Sequence, residues 1–188
     1  MNIKGHEVVG QRRVGKMPSN DLVRMWLAIT SKIVKYGFAI EYKDLEEPKT
    51  GIFNGVRITI DPDVEFEMQC FILLHLFGHS VQWVAPSIEH DLDDLRNTSD
   101  KEVFLKALHA YEFEAAQFGM HLLHEVGVTD LDQWYSDFVE TDWVYVDRFY
   151  REGAIPEWEE CISTTDEIIK PKAIPELQHR AVAVRFAF

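Results

Sequence analysis

His75 and His79 stand four residues apart at the end of the segment Cys70-Phe71-Ile72-Leu73-Leu74-His75-Leu76-Phe77-Gly78-His79. On a helix this spacing puts both imidazoles on one face, one turn apart, where both can reach a single ion at about 2.0–2.1 Å. Neutral imidazole suits zinc, a borderline-soft ion. In a chain with 8 histidines such a pair arises easily by chance, so the spacing alone says little. The apolar run from Cys70 to Leu74 gives it more weight. A helix carrying that run is buried, and buried imidazoles need hydrogen-bond partners or a metal.

A third ligand would come from a neighbouring helix. His109, Glu112, Glu114 and His121 lie in the helical stretch that follows, beside the small residues Ala115, Ala116 and Gly119, which permit close approach of another helix. His109 and Glu112 share a face. Glu114 is turned roughly 200° from Glu112 at 100° per residue, so only one of the two glutamates can face His75.

The elements that must position these residues follow from periodicity. Leu22, Met25, Trp26, Ile29 and Ile33 form one stripe of a helix beginning near Asp21, capped by Ser19 or Asn20 and ended by Gly37. Residues 38–42 are a short strand. Asn54-Gly55 between 51–53 and 56–60 predicts a hairpin with a type I′ turn, since both central positions of that turn need positive φ. Asp61-Pro62-Asp63 leads into a helix over 64–84, closed by Pro86. An acidic loop over 86–98 carries Glu89, Asp91, Asp93 and Asp94. A third helix spans 99–126, opened by a Ser99–Glu102 capping box and stopped by Gly127. A fourth, aromatic-rich helix spans 131–152, capped from within Thr129 to Asp132. Pro156, Pro171 and Pro175 interrupt the remainder, and the alternation of Val182, Val184, Phe186 and Phe188 suits a strand. The expected fold is α+β: a small antiparallel sheet with a hairpin, packed on a bundle of about four helices, with an irregular tail. The expected organisation is an arm over 1–18, one domain over 19–152 and an extension over 153–188 packed on it.

The 188 residues include 32 acidic and 19 basic ones, a formal net charge of -13. That sign repels phosphate backbones and acidic membrane surfaces, so no nucleic-acid or membrane partner is expected. The longest apolar run is far shorter than the roughly 20 residues of a membrane-spanning helix. The first residues lack the apolar core of a secretory signal, which points to a cytoplasmic protein. Cys70 and Cys161 make no disulfide framework.

Four pieces in order, Gly51 to Ile60, Asp61-Pro62, His75-Leu76-Phe77-Gly78-His79 and Glu112-Phe113-Glu114-Ala115-Ala116-Gln117-Phe118, resemble the ImmA/IrrE family of zincin-type metallopeptidases over about half the chain. In that family one helix carries His-Glu-x-Gly-His and the next Glu-x-Glu-Ala-x-x-Phe. The resemblance implies a zincin-like fold and a zinc ion held by His75, His79 and Glu112, with Glu114 or His109 as alternative ligands. It also implies a cleft for a peptide or protein partner. The departure is Leu76, where the family has the glutamate that takes a proton from metal-bound water, a service worth about 10²- to 10⁴-fold in rate. No catalytic residue is assigned in its place. The expected function is metal binding with lost or much reduced peptidase activity. The alternatives are an active peptidase with an unconventional base, and a metal-free interaction domain whose histidines are core residues.

Overall fold

The computed structural model describes residues 19–46, 48–88 and 100–179, and the backbone of 186–187. The arm over 1–18, the acidic stretch from Glu89 onward and Ser99 lie outside the described residues.

The first helix, α1 (Ser19–Lys35), buries Leu22, Met25, Ile29 and Ile33 as the stripe requires. Ser19 and Asn20 are already helical rather than capping. Gly37 ends the turn with φ +91° and leads into β1 (Ala39–Tyr42). Strands β2 (Gly51–Phe53) and β3 (Arg57–Ile60) are antiparallel, with Gly51 opposite Ile60. β1 pairs with β3 in parallel, Ala39 opposite Arg57. The two-residue strand β4 (Phe186–Ala187) adds antiparallel to β2, giving the order β1-β3-β2-β4. The sheet is therefore mixed, not antiparallel. The reason is the loop after Tyr42: it carries the chain past the position beside β1, so the hairpin returns β3, not β2, to that place. The loop is fixed there because Lys43 N donates to Ile60 O and Leu45 N donates to the Asp61 carboxylate.

The hairpin turn also differs from type I′. Gly55 has φ +84°, but no described non-glycine residue has positive φ, Asn54 included. The Asn54 side chain takes over instead, its Oδ1 accepting from the amides of Val56 (3.3 Å) and Arg57 (2.9 Å).

α2 (Phe66–Val84) lies between the sheet and α3 (Lys101–Glu125). Every residue from Gln69 to Val84 except Trp83 is buried, as a helix that is apolar on all sides must be. The two helices nearly touch at Gly78, where a Cβ would fall 2.0 Å from the Ala115 carbonyl oxygen. Asp100, not Ser99, caps α3, its carboxylate accepting from the amides of Glu102 and Val103. Glu102, the expected partner in a capping box, is ion-paired to Arg151. α4 (Asp132–Glu152) has Leu131 at its N-cap, with no side chain able to cap it; Asp132, already helical, accepts from His124. After α5 (Trp158–Cys161) the chain is extended. Ser163, Thr165 and Ile169 hydrogen-bond to Thr141, Asp137 and Ser136 on α4. Further on, Lys172 N donates to Gln117 O on α3 and Gln178 N to Val84 O on α2. No described helix is long and apolar enough to cross a membrane.

Candidate metal centre

The close approach at Gly78 sets Glu112 of α3 against the histidine face of α2. His75 Nε2 and His79 Nε2 are 2.8 Å apart, and each is 3.0 Å from the same Glu112 oxygen, Oε2. Three donor atoms thus converge on one point. Tetrahedral zinc with bonds of 2.0–2.1 Å spaces its donors about 3.3 Å apart. The triangle is already gathered to within a few tenths of an ångström of that.

The orientation of His79 is fixed from behind. Gln82 Nε2 donates to Tyr111 O and to Glu114 Oε2, both at 2.9 Å. Those two acceptors turn the amide so that its oxygen faces His79 Nδ1 at 2.9 Å. A carbonyl oxygen there requires the His79 proton on Nδ1, which makes Nε2 an acceptor, the tautomer a metal ligand needs. An acceptor nitrogen 3.0 Å from a carboxylate oxygen is repulsive unless something positive stands between them. One proton on His75 cannot lie along every edge of the triangle, whereas a cation satisfies all three atoms at once. Tyr111 also stacks on the His79 ring, centroids 5.1 Å apart, and is itself held by Trp83 Nε1 at 2.7 Å.

Burial lowers the His75 pKa, against the pull of Glu112, and keeps the ring neutral. Burial raises the Glu112 pKa, but the two imidazoles beside it lower it by more, so the carboxylate is held ionised. Asp142, 3% exposed, is pushed well above the usual carboxylate range, first by burial and then by the charge of Glu112.

A cavity opens beside the triangle. His75 and Glu112 form one side, and Phe113, His109 and Trp143 part of the rim. Glu140 and Asp142 of α4 and Thr165, Glu167 and Ile169 of the extended segment complete it. Of the candidate third ligands, Glu112 meets the histidines. Glu114 does not: it accepts from Gln82, behind His79, and pairs with Lys172. His109 packs its ring on Trp143, centroids 4.3 Å apart. Leu76 is fully buried and is not part of the cavity wall. It is turned about 100° from His75 and points toward the sheet, where a Cβ on Gly51 would meet its Cδ1 at 2.9 Å.

Sequence reasoning missed Asp142. The signal was available: Tyr135, Phe138, Val139 and Asp142 repeat at three- and four-residue steps, so the acid lies on the buried stripe of α4. A second acidic group, Asp44, Asp61 and Asp63, is a loop clamp, with Asp61 accepting from the amides of Leu45 and Asp63. No protein-family model matches the chain, and comparison with curated proteins and with solved structures finds no match.

Proposed function

We propose that this chain is a zincin-like metal-binding protein whose peptidase activity is lost or strongly reduced, and that it acts by holding a peptide or protein in the cavity beside its ion. The observation that carries the reading is the His75, His79 and Glu112 triangle, with His79 turned by Gln82 into the tautomer that presents Nε2. Two imidazoles and one carboxylate suit zinc. The bound ion would supply Lewis-acid polarisation of a carbonyl oxygen. The resemblance of the two helical motifs to the ImmA/IrrE family supports the same reading, and Leu76 supports the loss of activity. The test is elemental analysis of protein purified without added metal. About one zinc per chain is expected, and none in His75→Ala. Metal far below stoichiometric, with no uptake on adding zinc, manganese, cobalt or nickel, would overturn it.

A second reading, a working hydrolase with an unconventional base, is favoured by Asp142, a carboxylic acid in the wall of the same cavity. Metal-dependent turnover of a peptide library by the wild type, lost in both His75→Ala and Asp142→Asn, would select it over the first.

A further inference from the structure

We infer that the cavity beside the triangle receives a cationic group of a peptide, a lysine or arginine side chain or an N-terminal ammonium. The inference deepens the proposed function by naming what the cavity selects, but recognition of the cation itself does not require the metal. Acids reach this cavity from separate elements: Glu140 and Asp142 from α4, and Glu167 from the extended segment. The described lining residues include no lysine or arginine. Three cations of α4 and the extended segment are engaged in ion pairs: Arg148 with Glu152 and Glu160, Arg151 with Glu102 and Asp147, and Lys172 with Glu114.

Acids on a rim would not make a site, but Asp142 does more than sit on a rim. It is 3% exposed and lines the cavity, and its carboxyl makes no hydrogen bond to a described residue. A buried carboxyl left so is costly unless a donor arrives. The donor that suits it is an ammonium or guanidinium, whose hydrogen bonds to a carboxylate are charge-assisted. Trp143, on the same rim, offers an aromatic face to such a cation, and Val139 and Ile169 pack its aliphatic stem. A cavity with a volume of about 110 Å³ suits one side-chain end rather than a length of folded chain.

The test is binding of fluorescent peptides that differ at one residue, lysine, arginine, citrulline, leucine or glutamate, each with a free and an acetylated N-terminus. Zinc-loaded and chelator-treated full-length chain are both used. Peptides carrying a cation are expected to bind about tenfold or more tightly than their neutral counterparts, as one charge-assisted pair allows. That preference should fall in Asp142→Asn and Glu140→Gln, with zinc content unchanged. If acetylation removes the preference, the ammonium is the source; if citrulline removes it, the side chain is. Equal binding of cationic and neutral peptides overturns the inference. So does a preference that persists in both variants, once circular dichroism shows them folded, or no binding by any peptide at millimolar concentration. A preference kept by a chain that holds no metal would sustain this inference while the proposed function falls; zinc binding without any preference would do the reverse.

Discussion

Gln82 is a buried, neutral amide, yet it decides which nitrogen of His79 faces the site. It can do so because Tyr111 O and Glu114 together hold its own NH₂ group. Gln82→Leu removes the acceptor and frees the ring to turn or change tautomer. Zinc affinity is expected to fall about 10- to 100-fold, as for other outer partners of metal-bound histidines. Competition with a chromophoric chelator measures it, and unchanged affinity would deny Gln82 this role. Leu76 makes the opposite point. A glutamate there, as in the family that the two motifs resemble, looks from sequence like a repair. In the fold it puts a carboxylate against Ile72 and strand β2. Leu76→Glu is expected to lose about 3 kcal/mol or more of stability, the order of cost for an uncompensated buried charge, with no gain in peptide turnover. Urea unfolding and a peptide-library assay check the two halves.

At the scale of elements, the site depends on how closely α2 and α3 pack. Gly78 has no room for a Cβ against the Ala115 backbone, so Gly78→Ala must push the helices apart. A backbone contact cannot yield as a side chain does. We expect about 1–3 kcal/mol of lost stability, the usual range for overpacking, together with loss of zinc binding, because Glu112 retreats with α3. Zinc content and unfolding midpoint, measured on one preparation, test both. The four long helices were legible in the sequence from their apolar patterns and end signals, whereas the short helix Trp158–Cys161 was not. The His75 and His79 pair was legible from helical spacing; the 100° step showed that only one of Glu112 and Glu114 could join it, and the choice of Glu112 came from the motif resemblance. What failed was whatever depends on competition between partners. The Asn54 side chain displaced the expected turn, and Arg151 drew Glu102 out of the capping box. The parallel pairing of β1 with β3 depends on the course of a loop that carries no periodic signal. The direction of Leu76 depends on where the sheet lies, which α2, apolar on every side, does not reveal.

For the whole molecule, the buried triangle ties folding to pH. His75 has its pKa lowered in the folded chain, so below its ordinary value of 6.5 the unfolded chain binds the extra proton and the folded chain does not. The stability His75 contributes is present above 6.5 and is lost as pH falls from there toward its lower folded value. Glu112, also lowered, adds a loss of the same sign once the pH falls below its ordinary 4.5. Asp142 acts in the opposite sense, because its folded pKa is raised. Comparison with His75→Gln isolates the histidine. The chelator-treated wild type is expected to lose more stability than the variant between pH 7.5 and 5, read from urea midpoints at each pH. Parallel curves would refute this.

The same whole-molecule view gives the extended segment a place in time. Thr165, Glu167 and Ile169 build one side of the cavity, and Lys172 steadies the Glu114 that holds Gln82. All of them follow Glu112 by more than fifty positions in the chain. At synthesis rates of roughly 5–20 residues per second they leave the ribosome some seconds after the three donor residues. A nascent chain therefore offers its donors to solution while one wall is still unmade. On the proposed reading, capture of an ion would precede closure, and the cavity would be shaped around a centre that already carries its charge.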